Sequence, residues 1–394
     1  RMRRRPGGGL RAALPEACAL DNCLGDLAGS ATQSNQEYEV MDGKAFVAGV
    51  GTLPFGKPGA TESYDLMAAA ATRKALHDAR LPYEAVQQAV VGYVYGDSTS
   101  GQRALYGVGM TGVPIINVNN NCSTGSTALF LARQLVEAGA LDCVLALGFE
   151  QMRPGALSEH WSDRPSPFSR FDELCADIAP YPVPLALRYF GGAGKEYMER
   201  HGVTSSLFAK VRAKASRHAA HNPTALLRQV VSEEEVLASP LIFAEAGMTR
   251  LMACPPTCGA AAAILVSQRF AEQRNLDRRV FIAAQAMTTD RPGTFDKRSM
   301  IALVGADMSR EAADLVYEQA GIGPADVDVV ELHDCFAQNE VLTYEALRLC
   351  PEGGAEKFVT DGDNTYGGRV VTNPSGGLLC KGHPLGATGL AQCA

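Results

Sequence analysis

The sequence predicts an α/β protein whose sheet is covered on both faces, and three observations carry that prediction. Short apolar runs recur along the chain, segments with apolar residues at helical spacing stand between them, and a Pro- and aromatic-rich middle interrupts a rhythm that afterwards resumes. The 394 residues are 46% hydrophobic, enough for a large core in two domains or one large duplicated unit.

In chain order, residues 1–38 have no clear hydrophobic period, and the opening RMRRRPGGGLRAALPEA is rich in Arg, Gly and Ala. Residues 1–40 therefore read as a poorly ordered extension, either an organellar transit peptide or an extension of the gene model. The folded part begins at 45–50 (AFVAGV), a buried strand followed by Gly51. Residues 63–79 follow as a helix, with Leu66, Ala69, Ala70, Thr72, Ala75 and Leu76 at helical spacing. Strands are predicted at 89–94 (AVVGYV), 113–118 and 142–147 (DCVLAL), with a helix at 127–138 (TALFLARQLVEA). From 151 to 249 Pro and aromatic residues cluster and polar helices such as 205–220 follow, which reads as an inserted subdomain where substrate contacts often sit. Its Arg and Lys residues suit either phosphate contacts or, as the expected setting for any single one, a solvated helix face. The α/β rhythm returns with strands at 259–267 (GAAAAILVS), 279–286 (RVFIAAQA) and 327–332 (VDVVEL), and a helix at 310–321.

Composition excludes several functions. A net charge of -7 gives no basic field for nucleic acid, although a local cationic patch for a phosphorylated cofactor stays open. The longest apolar runs, such as 260–266, fall far short of the roughly 18 residues of a membrane span, so no integral membrane segment is expected. Eleven cysteines, an odd number, leave at least one unpaired and point to a reducing compartment. Cys254 and Cys258, in CPPTC, have a hint of ligand spacing, but no matching Cys/His pair lies nearby and no metal is assigned.

Three segments concentrate reactive side chains among small residues after apolar runs: NNNCSTGS around Cys122, HDCF at 333–336, and NPSGGLLCKGHPLGATG at 373–389. Cys122 stands at a strand-to-helix turn. There the helix dipole is expected to lower its pKa, and Ser123, Thr124, Gly125 and Ser126 to cap the amides and admit another backbone or a substrate. A buried structural cysteine is the alternative. In HDCF, residues two apart in an extended segment point to one side, so His333 and Cys335 face one pocket while Asp334 points away as an orienting partner. Five glycines of the third segment let the backbone turn tightly around His383, and Pro384 stiffens it. The histidines at 77, 160, 201, 218 and 221 match no catalytic motif.

Together these segments, with GDNTYGG at 362–368 and the closing GLAQCA, resemble the thiolase family over about residues 45–394. HDCF in place of an asparagine-led loop resembles its sterol-carrier-protein branch. The resemblance implies the thiolase fold: duplicated α/β halves packed as a layered αβαβα core with an inserted loop domain. The halves are expected at 41–150 with 250–275, and at 276–394, with 151–249 inserted. It implies a 3-ketoacyl-CoA thiolase in which Cys122 is the nucleophile, His383 accepts its proton and helps hold an oxyanion, and Cys335 is the acid/base thiol. His333 takes the place of the loop asparagine in the first oxyanion hole, directly or through an ordered water. Coenzyme A is implied as co-substrate, with no bound cofactor, along with a homodimer and a peroxisomal location, mitochondrion and cytoplasm being the alternatives.

Three departures from the family qualify this. Thiolases continue past GLAQCA with about two more strands carrying a glycine-rich loop, so a fragment of a longer protein or an impaired fold and activity is expected. Cys258 stands where an acidic residue is usual, removing a turn-stabilising carboxylate, and 103–114 is slightly short. Two rival functions remain: a β-ketoacyl synthase-like condensing enzyme, and a catalytically silent lipid-binding or scaffold protein.

Overall fold

The computed structural model describes residues 43–153, 161 and 163–394. The extension read over 1–40 and His160 lie outside the described residues. In chain order, β1 (Ala45–Thr52), β2 (Gln88–Gly92), β3 (Ile115–Val118) and β4 (Cys143–Glu150) are followed by a small hairpin, β5 (Leu241–Phe243) with β6 (Met248–Thr249), and by β7 (Gly259–Ser267). Five of them form one sheet in the order β1-β7-β4-β2-β3. It is mixed: β2 runs parallel to β3 and β4, while β7 lies antiparallel between β1 and β4.

The period of two along each central strand feeds two cores. Cys143, Leu145, Leu147 and Phe149 of β4 pack with the helix Tyr64–Ala79, whereas Val144 and Ala146 pack with the helix Thr124–Glu137. In β7, Ala260, Ala262, Ile264 and Val266 serve the first core, and Ala261, Ala263 and Leu265 the second. Burying each larger aliphatic side chain stabilises the fold by about 1.5–3 kcal/mol. Glycine sets how near the first helix comes, since a Cβ on Gly49 would lie 2.7 Å from the Ala79 Cβ. Leu66 is not on that helix's buried face; it is 54% exposed, and Met67, Ala68 and Ala71 take the core positions.

The second half departs from the predicted strands. The 327–332 run is a strand only as β8 (Val329–Val330), parallel to β9 (Val371–Thr372). Residues 279–286 form no strand. They pass beside β1 with Val47 N–H donating to Val280 O and Ile282 N–H to Ala45 O, both at 3.0 Å, and a single bridge at Phe46 and Phe281. A strand needs hydrogen-bonded neighbours as well as an apolar pattern, and here Val280 and Phe281 stay exposed.

A third core joins the helices Leu185–His201, Ser206–Ala220, Ala337–Ala346 and Gly377–Cys380. The helix expected at 205–220 is present but not solvated. Arg212 and Lys214 are buried, and Lys214 pairs with the fully buried Glu340 while its Nζ donates to Thr372 Oγ1 at 2.7 Å and Thr372 O at 3.2 Å. A buried ion pair persists only when its remaining polar groups are satisfied, and Tyr344 OH also donates to Glu340. The network reaches the motif segments through Asn373, whose Nδ2 donates to Glu340 at 3.4 Å and whose Oδ1 accepts the Leu332 N–H at 2.8 Å.

Candidate active site

Cys122 sits between β3 and the Thr124–Glu137 helix, as the apolar run and helical spacing predicted. The turn is built by its neighbours. Asn121 has φ 47°, Ser123 Oγ donates to Asn120 O at 2.8 Å, and Thr124 Oγ1 donates to Asn121 O at 2.6 Å while accepting the Asn120 N–H at 2.8 Å. These hydroxyls serve the loop, so the expected side-chain capping of the helix is absent and its first-turn amides keep no such partner. Gly125 does what its lack of a side chain suggested: a Cβ there would be 2.8 Å from Gly386 O, so the two motif segments cross in backbone contact.

The structure gathers the sequence-predicted residues. Sγ of Cys122 and one ring nitrogen each of His333 and His383 all lie within 4.8 Å of one another. The two rings meet edge-on, 4.8 Å between centroids and 87° between planes. Cys335, 5% exposed, lies within electrostatic reach of Cys122. Asp334 turns to the helix Gly377–Cys380, accepting the N–H of Leu378 at 2.7 Å and of Leu379 at 3.3 Å. That is an orienting role, and Gly377, at φ 61°, leaves no room between for a side chain.

His383 is held in one tautomer. Its Nδ1 is 2.7 Å from Thr388 Oγ1, and that hydroxyl gives its single proton to Pro384 O at 3.0 Å. Thr388 therefore accepts from Nδ1–H, leaving the Nε2 lone pair free. Nε2 is buried and has no hydrogen-bond partner among the described residues. Burial, with the neighbouring His333 second, lowers the His383 pKa well below the usual range, and burial lowers that of His333 to about 4. Both imidazoles are neutral near pH 7.

The thiol at 122 contradicts the dipole expectation. Burial, reinforced by the charge of Glu150, pushes its pKa up to about 12, against a smaller lowering by its own backbone amide. Desolvation is the largest influence here, so this thiol is nucleophilic only once a base takes its proton. Cys335 is likewise raised by burial, then by the thiols at 254 and 122 and by Asp334.

Two residues escaped the sequence reading. Glu150, at the buried end of β4, accepts the N–H groups of Val94 at 3.1 Å, Tyr95 at 2.9 Å and Gly386 at 3.1 Å. Burial raises its carboxyl to about 7 against those three donors. A lone glutamate closing an apolar strand was its signal. Cys254 is the other, its spacing to Cys258 hinting only at a ligand pair. Instead the thiol of Cys258 donates to Met152 O at 3.4 Å, while 254–257 runs through the site. Ala253 bridges Phe336, Pro256 bridges His383, and Thr257 Oγ1 accepts the His383 N–H at 3.1 Å. Burial, then the charges of Cys122 and Asp334, raise the thiol of Cys254. His218, given no role, is buried and spans Asn373 O at 3.0 Å and Thr365 Oγ1 at 2.7 Å.

Comparison with known proteins bears on the family to which the chain belongs. A family model described as the N-terminal domain of thiolase matches residues 46–269, and one described as thiolase C-terminal domain-like matches 294–394. Sterol carrier protein 2 of Bos taurus is 54% identical over 354 residues, 89% of this chain and 65% of that protein. The chain thus spans about two thirds of the length of such relatives. Among solved structures, an Ltp2-ChsH2(DUF35) aldolase aligns with a TM-score of 0.74 at 23% identity, covering 89% of each chain. Human mitochondrial 3-ketoacyl-CoA thiolase in complex with CoA aligns with a TM-score of 0.65 at 17% identity, covering 88% of this chain and 89% of that one. These last two likenesses speak to the fold, and the matched family models speak to descent: the chain belongs to the thiolase family.

Proposed function

We propose that the protein is an acyltransferase that cleaves 3-ketoacyl-CoA with coenzyme A, releasing acetyl- or propionyl-CoA and a shortened acyl-CoA. The observation that carries this reading is the grouping of the Cys122 thiol with one ring nitrogen each of His333 and His383, the latter having an Nε2 with no partner among the described residues. In the first step Sγ of Cys122 attacks the 3-keto carbon as its proton passes to Nε2 of His383. The oxygen of the attacked carbonyl gains negative charge, which His333 and His383 stabilise. The bond between C2 and C3 then breaks, leaving the acyl group as a thioester on Cys122, and the carbanion of the departing thioester takes the proton of Cys335. In the second step the thiol of coenzyme A loses its proton to the Cys335 thiolate and attacks the acyl-enzyme. The shortened acyl-CoA leaves, and His383 returns the first proton to Cys122.

A thiol raised by burial suits the acid role, because it holds its proton until a strong carbanion base forms beside it. The same reading includes a homodimer. β3 is the edge of its sheet, and Ile116 on it is 46% exposed, a surface that a second copy would cover. It also includes coenzyme A as co-substrate, the 41–150 with 250–275 and 276–394 halves around an inserted 151–249, a role in β-oxidation and a peroxisomal location, all on family resemblance. The experiment is turnover: supplied with coenzyme A, the purified full-length gene product releases two thioesters from acetoacetyl-CoA or a longer 3-ketoacyl-CoA. Decay of substrate without a shortened acyl-CoA would overturn the reading.

A further inference from the structure

We infer that Cys122, His333 and His383 form a binding site for a borderline-soft divalent cation of the Zn2+ class, with Sγ and one nitrogen of each imidazole as its three protein ligands. The donor atoms already lie within 4.8 Å of one another. Around tetrahedral zinc, with bonds of about 2.0–2.3 Å, such ligands stand roughly 3.5 Å apart, so closing on the ion moves each atom by about 1 Å at most. His383 supplies the second observation. The residue is 5% exposed, and its buried Nε2 has no hydrogen-bond partner among the described residues. Thr388 holds the other nitrogen, the outer-shell hydrogen bond that fixes the tautomer of metal-bound histidines.

The donor set selects the metal. One thiolate with two neutral imidazoles suits zinc, whereas Mg2+ and Ca2+ want oxygen ligands that this set lacks. Cys122 and His333 are half-buried rather than sealed. On binding, a Zn–S bond forms, the Cys122 thiol gives one proton to solvent, and no electrons change hands. The site does not depend on the thiolytic reading. If that reading holds, the metal occupies the lone pairs that would attack substrate and accept the proton, so the metallated chain is inactive.

Binding is measured with Zn2+ itself against a chromophoric chelator, on the full chain. One equivalent per chain is expected, with affinity reduced at least about tenfold in Cys122→Ser and in His333→Ala, the loss seen when even an outer-shell partner is removed. Cys350→Ser, at a thiol on another part of the surface, is expected to bind as wild type. A second measurement needs no variant: Zn2+ slows iodoacetamide alkylation of Cys122 at least tenfold, leaves Cys350 unchanged, and is reversed by EDTA. No retained zinc, equal affinity in wild type and both ligand variants, or equal alkylation of Cys122 with and without Zn2+ would overturn the proposal.

Discussion

The backbone N–H of Cys254 donates to the carbonyl of Cys335 at 2.9 Å, tying the CPPT run to the loop that carries the second thiol. The Cys254 thiol lies within electrostatic reach of those of Cys122 and Cys335. The backbone bond survives substitution of the side chain. Cys254→Ser is expected to keep acyl-enzyme formation and to lower turnover less than about tenfold, because it retains the loop and removes no proton donor of the proposed mechanism. Single-turnover acylation checks this. A loss of cleavage as deep as that of Cys335→Ala would transfer the acid role to Cys254.

The hydroxyl of Thr388 orients His383 by accepting its Nδ1–H. Thr388→Val is close in shape but leaves that donor unpaired in a buried site, at a cost of about 1–3 kcal/mol. The acylation rate is expected to fall about 10–100-fold, since the base loses its fixed tautomer but is still present. The pH profile of acylation should shift with it, and Thr388→Ser should restore both. An unchanged profile in a folded Val variant would mean that the hydroxyl only fills space.

Glu150 offers a test in pH. Its folded pKa of about 7 lies above the ordinary 4.5, so between these values the folded chain holds a proton that the unfolded chain has lost. The sign follows: stability contributed by this carboxyl is present below pH 4.5 and is lost as pH rises through 7. Relative to Glu150→Gln, wild type should lose up to about 3 kcal/mol over that window and no more above it. Denaturant unfolding of both proteins from pH 4.5 to 8 measures the difference. The same variant removes a charge that raises the Cys122 pKa, so alkylation of Cys122 near pH 8 should become faster. A flat difference in stability would show the carboxylate to be ionised throughout.

What was legible in the chain was whatever depends on local pattern. The run into Asn117 and the helical spacing after Ser126 placed Cys122 at its strand-to-helix turn, and the two-residue period of HDCF set Asp334 apart from His333. What was not legible depends on neighbours distant in sequence. The raised pKa of Cys122 comes from burial and from Glu150, neither visible at the turn itself. Residues 279–286 have a strand's composition, but ladder bonds come from a partner, and theirs amount to a single bridge to β1. Lys214 looked like a surface cation because its counter-charge, Glu340, is 126 positions away. Cys254 was obscured by its own spacing to Cys258, which suggested a metal pair where the fold sends the two thiols to different neighbours.

The division of labour between the two thiols is the central claim, and acyl-enzyme trapping tests it most directly. The protein is incubated with an acyl-CoA, and separately with a 3-ketoacyl-CoA, and the modified residue is identified by peptide mass. Cys122→Ala should carry no acyl group from either compound. Cys335→Ala should be acylated at Cys122 by the acyl-CoA yet fail to cleave the 3-ketoacyl-CoA, its rate falling by at least about 100-fold. An acyl group found on a thiol other than Cys122, or cleavage that proceeds undiminished in Cys335→Ala, would contradict the account.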